Sequence, residues 1–350
     1  MLTPLDKLAI YCEGGFEDKT AKMAVGVLRY SANEVTCLID SRHAGEDSVP
    51  LTGVPRRVPI VATMEEARTL GANTAVLGIA PPGGHIPDAW RPILDQMVSL
   101  EFNIVNGLHE RLALSFPGAM GWIWDVRQEP AGLGAATGMA REHDGIRLLT
   151  VGTDMSVGKM TAGLEILKEA RVQGVDAAFV ATGQIGIVVT GGGVPLDAVR
   201  VDYAAGSVER EVMRHAAKRL IVIEGQGSLG HPSSTAPLPL LRGSMPTHLV
   251  MCHRAGMEHL PRLPWVKVPP LQKAIQLVED LAEAVCAFGR PRTVGVALNP
   301  GSMAREDAVN YARALEQELG IPVVDPLTDG VKRLVAALPL EPEADLPESD

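Results

Sequence analysis

The chain has 350 residues, 46% of them apolar, and a formal net charge of −10. That length allows two packed cores, while an acidic balance without any basic stretch excludes extended nucleic-acid binding, though a local field can still attract an anion. No apolar run is long enough to span a membrane, the start Met1–Lys7 lacks the basic and apolar segments of a signal peptide, and Cys12, Cys37, Cys252 and Cys286 lack C-x-x-C spacing, so a cytoplasmic protein is expected.

Along the first third, strands are expected at Lys7–Tyr11, Glu34–Ile39, Val58–Ala62, Thr74–Ile79 and Phe102–Val105. Helices at Thr20–Tyr30, Glu65–Leu70 and Ala89–Leu100 alternate with them. Alternation through Gly-rich turns implies a doubly wound parallel sheet, so residues 1–130 form a first α/β domain. Ligands of such sheets gather beyond the carboxyl ends of the strands. Asp40, Gly83, Gly84, His85, Asn106 and His109 are therefore rim candidates, with turn residues that serve only the fold as an equal reading. No G-x-G-x-x-G follows these strands, so a nicotinamide cofactor is not indicated.

Gln128–Gly145 is rich in Gly and Ala, and residues 131–145 are expected to link the domains. A second α/β domain then spans 146–338, before an acidic tail at 339–350 that is expected to be disordered. Its expected strands are Ile146–Leu149, Ala177–Ala181, Leu220–Ile223, Leu249–Cys252, Thr293–Leu298 and Ile321–Val324. Its expected helices are one bearing Leu164, Leu167 and Ala170, then Val208–Lys218, Ala274–Ala287, Arg305–Leu319 and Val331–Ala337.

The chemistry concentrates in Gly152, Thr153, Asp154, Met155, Ser156, Val157, Gly158, Lys159, Met160 and Thr161. A strand, a glycine-bearing turn with a lysine and then a helix make a phosphate cradle. Turn N–H groups and the helix N-terminus converge on the anion, and Lys159 adds a point charge. The spacing departs from G-x-x-x-x-G-K-[ST]: five residues separate Gly152 from Gly158, and Met160 follows the lysine. In Mg-nucleotide enzymes the hydroxyl at that place ligates the metal, and a thioether does so poorly. Thr161 has a hydroxyl, but one helical step turns it away by roughly 100°. The loop is thus expected to hold phosphates, and no metal is expected.

Leu220–Ile223 ends in Glu224–Gly225–Gln226–Gly227, which puts a carboxylate beside the cradle and lets backbone N–H groups approach a ligand. Glu224 and His231 are the candidate proton carriers. Arg127, Arg242 and Arg254 are candidate forks for substrate carboxylates. Asp197 and Asp202 face a substrate or cap the helix after them. His248, Cys252, His253 and His259 fit no zinc spacing, and a packed cysteine with turn histidines is the better reading. No G-x-S-x-G elbow supports a hydrolase triad.

Gly152–Thr161 and Glu224–Gly227 resemble the loop and strand end of dethiobiotin synthetase, with Met160 breaking the likeness at the metal-ligand position. A likeness nearly end to end is to the bacterial two-domain family of D-glutamate N-acetyltransferase. It is carried by Gly26–Tyr30, Ile39–Gly45, Asn106–His109, Asp125–Arg127, Val151–Thr161, Ala181–Gln184 and Glu224–Leu229 with His231–Pro232. The resemblance implies a Rossmann-like N-terminal domain, a phosphate-loop C-terminal domain, and acetyl transfer from acetyl-CoA to D-glutamate. A homo-oligomer acting on a small molecule, without nucleic-acid or membrane partners, is expected. The alternatives are an ATP- and Mg-dependent ligase or kinase of the dethiobiotin synthetase type, and a nucleotide-binding switch without substrate chemistry.

Overall fold

The computed structural model describes residues 2–18, 20–286 and 289–340; the tail expected at Glu341–Asp350 lies outside them, as does Ala287 at the end of one expected helix. The first stretch of the chain gives β1 (Leu8–Tyr11), α1 (Lys22–Tyr30), β2 (Val35–Ile39), α2 (Ser48–Thr52), β3 (Ile60–Val61) and α3 (Met64–Thr69). It continues with β4 (Thr74–Leu77), α4 (Arg91–Ser99), β5 (Asn103–Asn106), α5 (Leu112–Ser115) and β6 (Ile123–Asp125). Next come β7 (Ile146–Gly152), α6 (Lys159–Val172), β8 (Ala177–Val180), α7 (Gln184–Thr190), α8 (Val201–Met213), β9 (Leu220–Ile223) and α9 (Pro237–Ser244). The last elements are β10 (His248–Arg254), β11 (His259–Leu260), β12 (Leu263–Lys267), α10 (Leu271–Cys286), β13 (Arg292–Asn299), α11 (Arg305–Leu319), β14 (Val323–Val324) and α12 (Lys332–Ala336). Among the described residues no helix is long and apolar enough to cross a membrane.

Two compact units result, Met1–Pro130 with Gly183–Ala198, and Ala131–Thr182 with Val199–Asp350. The first holds a sheet of order β3-β2-β1-β4-β5-β6, parallel throughout. This is the strand order of dinucleotide-binding folds, so the unit is Rossmann-like. β1 and β4 are buried along their whole length, which is why they read as unbroken apolar runs rather than alternating ones. The second unit holds a parallel sheet of order β14-β13-β10-β7-β9-β8. From β7 the chain builds β8 and β9 on one side and β10 and β13 on the other. That reversal leaves a crevice at the carboxyl end of β7, where the phosphate loop begins. Both units are thus doubly wound α/β, as the residue pattern implies.

Several elements differ from expectation. The helix expected at Val208–Lys218 runs from Val201 to Met213. Gln184–Thr190, which none of the expected elements covers, forms α7 and packs on α1 in the first unit. Its Gly and β-branched residues are poor helix formers, so tertiary contact overrides propensity there. Residues 131–145 are not a free tether. The buried Glu209 carboxylate of α8 accepts the N–H groups of Thr137, Gly138 and Met139 at 2.5–3.2 Å, and the Thr137 hydroxyl at 2.8 Å. A buried carboxylate needs such donors, and here the connecting segment supplies them.

Candidate active site

β7 ends at Gly152 because no side chain fits there. A Cβ on Gly152 would lie 2.8 Å from Val157 Cγ2 and 3.1 Å from Lys159 Nζ. The loop therefore folds back over the strand end. Ser156 and Gly158 both take positive φ, 57° and 111°. Gly158 is the N-cap of α6, so Lys159 is the first helical residue. Its side chain is buried, and Nζ donates to the Asp154 carbonyl at 2.8 Å. An ammonium has three donors, so an anion seated in the loop can take others. Burial draws the Lys159 pKa below the ordinary lysine value, against the pull of Cys252, Asp154 and Glu224. A negative ligand would relieve that cost.

The loop is tied to β10. Thr153 donates its N–H to the Cys252 carbonyl at 3.1 Å, and its hydroxyl meets His253 Nδ1 at 2.9 Å. Burial pulls the His253 pKa down to about 4, so the ring is neutral at pH 7. Arg254 Nη2 donates to the Ser156 carbonyl at 3.2 Å, while its buried Nε has no partner. Of the three arginines proposed from the sequence, Arg254 alone is seen to bond the loop. Arg242 is exposed in the last turn of α9. Arg127 belongs to the first unit, where Nη2 lies 3.0 Å from Asp197 Oδ2 and 3.1 Å from Gln184 Oε1. Asp197 therefore faces an arginine, and Asp202 sits in the first turn of α8.

Glu224 follows β9, the strand beside β7. Its buried carboxylate accepts the Thr182 N–H through Oε2 at 3.0 Å, and its carbonyl accepts the Thr182 hydroxyl at 2.7 Å. Gly225 is pressed against β7. A Cβ there would lie 1.7 Å from the Thr150 carbonyl oxygen and 3.0 Å from Lys159 Cδ. The Gly225 N–H donates to Thr150 Oγ1 at 2.9 Å. That corrects one expectation: of the donors expected at Gly225–Gly227, the first is already taken by Thr150 of β7. The N–H groups of Gln226 and Gly227 are the better candidates for a developing oxyanion.

His231 lies further along the same turn. Its Nδ1 accepts the Ser233 N–H at 3.1 Å. The neutral ring then carries its proton on Nε2, where it is a donor rather than a base. The turn thus consumes the lone pair that a proton acceptor needs, which leaves Glu224 the stronger candidate of the two. A small recess joins the two motifs, with Gly152 and Lys159 on one side and Gly225–Leu229 on the other. Leu149, Leu240, Leu241 and Val278 give it an apolar wall. Leu240 and Leu241 come from α9, which the sequence reading missed; Pro237 at its first position is the signal that marks its start.

Among the rim candidates of the first unit, Asn106 serves the fold. Its side chain donates to the Glu110 carbonyl and Asp125 Oδ1, and accepts the Leu108 N–H. His109 packs on Gly84, where a Cβ would lie 2.4 Å from its ring, while His85 pairs with Glu110. His248, Cys252, His253 and His259 form no metal-holding group among the described residues.

Residues 134–335 match a family described as "Domain of unknown function (DUF1611_C) P-loop domain", and residues 41–129 match "Domain of unknown function (DUF1611_N) Rossmann-like domain". A curated relative from Tritonibacter scottomollicae, named D-glutamate N-acetyltransferase, is 36% identical over 325 residues, 91% of this chain and 94% of its own. A relative of the same name from a Pseudoalteromonas species is 35% identical over 341 residues, 95% of each chain. The crystal structure of a DUF1611 family protein from Anabaena variabilis shares 43% identity and a TM-score of 0.90, covering 95% of this chain and 98% of that one.

Proposed function

Since the chain belongs to the DUF1611 family of two-domain proteins, we propose that it is an N-acetyltransferase that moves the acetyl group of acetyl-CoA to the amine of D-glutamate. The reading is supported foremost by one observation: a glycine-bearing loop with Lys159 buried at its centre and a thioether next to it lies within a match that covers more than nine-tenths of this chain and of two relatives of that name. Coenzyme A carries a pyrophosphate and a 3′-phosphate, which such a loop can hold without cleaving them. The carrier supplies an activated thioester. Lys159 and the loop N–H groups fix its phosphates, and the apolar wall of Leu240, Leu241 and Val278 suits the pantetheine arm.

An amino acid's ammonium has no lone pair to attack with, so a base must first take a proton. Glu224 fills that role. The amine nitrogen then bonds to the acetyl carbon while the carbonyl electrons move to oxygen, where the Gln226 and Gly227 N–H groups hold the charge. Collapse breaks the C–S bond, and the proton that the new amide nitrogen sheds goes to the departing thiolate. Arg254 is the candidate fork for a glutamate carboxylate. The enzyme is expected to work in the cytoplasm as a homo-oligomer.

The test is thiol release from acetyl-CoA in the presence of D- or L-glutamate. The proposal expects release with the D-isomer and formation of N-acetyl-D-glutamate. No release with either isomer, together with ADP release from Mg-ATP, would favour the ligase or kinase alternative.

A further inference from the structure

At the carboxyl ends of β1 and β2 in the first unit, Glu17, Asp40 and His43 converge. One donor atom from each lies within 4.8 Å of the other two. Asp40 closes β2 and is 0% exposed. Its Oδ1 accepts the Arg42 N–H at 3.1 Å, but its buried Oδ2 has no partner. His43 Nδ1 lies 3.1 Å from Glu46 Oε2, which makes Nδ1 the protonated nitrogen and turns the Nε2 lone pair the other way. That buried Nε2 makes no hydrogen bond, although it lies 3.3 Å from Glu17 Oε1. The unpartnered Asp40 oxygen is out of water, and a buried carboxylate oxygen without a donor is costly unless a cation reaches it; Glu17 closes the cluster from the solvent side.

We propose that Glu17, Asp40 and His43 form a binding site for a divalent transition-metal ion. The one close pair, Glu17 with His43, is spaced as for a bare ion rather than an organic ammonium. Tetrahedral ligands at zinc distances of 2.0–2.1 Å stand about 3.3 Å apart, which is the Glu17–His43 separation. Acceptors around an ammonium at hydrogen-bond distances stand about 4.6 Å apart, wider than that pair. One imidazole with two carboxylates favours Zn²⁺ or Mn²⁺ over Mg²⁺. Glu46 behind the imidazole completes a carboxylate–histidine–metal arrangement, and three protein ligands leave a fourth position for water or a substrate atom. Arg42, with Nη1 3.7 Å from Glu17 Oε1, opposes the ion, but its side chain is 60% exposed and can turn to solvent. This departs from the expectation of no metal. No spacing signature joins Glu17 to the Asp40–His43 turn, because the parallel pairing of β1 and β2 brings them together.

The test is a calorimetric titration of the chelator-stripped full chain with Zn²⁺, and separately with Mg²⁺, without acyl carrier or nucleotide. One Zn²⁺ per chain is expected, held at least tenfold more tightly than Mg²⁺. Glu17→Gln and His43→Ala should each weaken Zn²⁺ at least tenfold, and Glu46→Gln about tenfold. Glu17 has an exposed side chain, so Glu17→Gln reports on the ligand without disturbing the core. No uptake by the wild-type chain, or equal uptake by Glu17→Gln and His43→Ala, overturns the proposal and leaves a protonated His43 as the cation among these carboxylates. Acetyl transfer does not enter the readout, so its failure and this one are separable.

Discussion

The two units share a parallel, doubly wound sheet, yet the ends of their first strands have opposite electrical character. After β7, a loop bent by Ser156 and Gly158 surrounds the buried Lys159 ammonium, and Arg254 stands beside it. After β1, the turn closes on itself through Gly15 N–H to the Cys12 carbonyl, and carboxylates gather: Glu13 on the Ser41 N–H and hydroxyl, then Glu17 and Asp40. One crevice gathers cationic side chains and the other carboxylates, which is why we propose an anion for the first and a cation for the second. The sheet supplies the place and a handful of side chains supply the chemistry, so a shared fold gives no shared ligand.

The sharpest way to break that contrast is Glu224→Gln. It keeps an acceptor for Thr182 but removes the base, and kcat should fall by about 10²–10⁴ with little change in acetyl-CoA affinity. Steady-state kinetics decide it; an unchanged kcat would falsify the assignment of the base. Next, Gly225→Ala drives a Cβ into the Thr150 carbonyl, which lies on a strand paired on both sides. Neither partner can yield, so a loss of about 3 kcal/mol is expected in a denaturant titration. Lys159→Ala removes charge-assisted contacts of about 1.5–3 kcal/mol, and acetyl-CoA binding should weaken by about 10- to 150-fold in calorimetry. The smallest effect is read per pH unit. His253 titrates near 6.5 when unfolded and near 4 when folded. Above pH 6.5 neither state is protonated and stability is constant. Between 6.5 and 4 only the unfolded state takes the proton, so stability should fall by about 1.4 kcal/mol per unit as pH drops. His253→Asn should flatten that slope in pH-dependent thermal melts.

The residue order made the second unit's crevice legible and hid that of the first. Gly152, Gly158 and Lys159 lie within eight residues, and a local turn must place them together. Glu224 was found because an apolar strand ran straight into it. Asp40, already a rim candidate, and His43 share one turn, but Glu17 reaches them only through the pairing of β1 with β2, and nothing local marks that event. The same division holds for the elements. Arg305–Leu319 has strong helical periodicity and forms α11 at the expected bounds. α7 is mostly β-branched, and α9 carries two prolines and a glycine among eight residues; both are helical because of what they pack against. His231 marks a further limit: its neighbour Ser233, two positions on, takes the ring nitrogen that would have acted as base, an event of turn geometry rather than composition.

The central claim, that the cradle around Lys159 holds an acyl carrier's phosphates and does not cleave a nucleotide, is tested most directly by titrating one preparation with acetyl-CoA and with Mg-ATP in parallel. The account predicts saturable binding of acetyl-CoA that Lys159→Ala weakens, and no hydrolysis of ATP. Tight Mg-ATP binding with turnover, and no heat from acetyl-CoA, would contradict it.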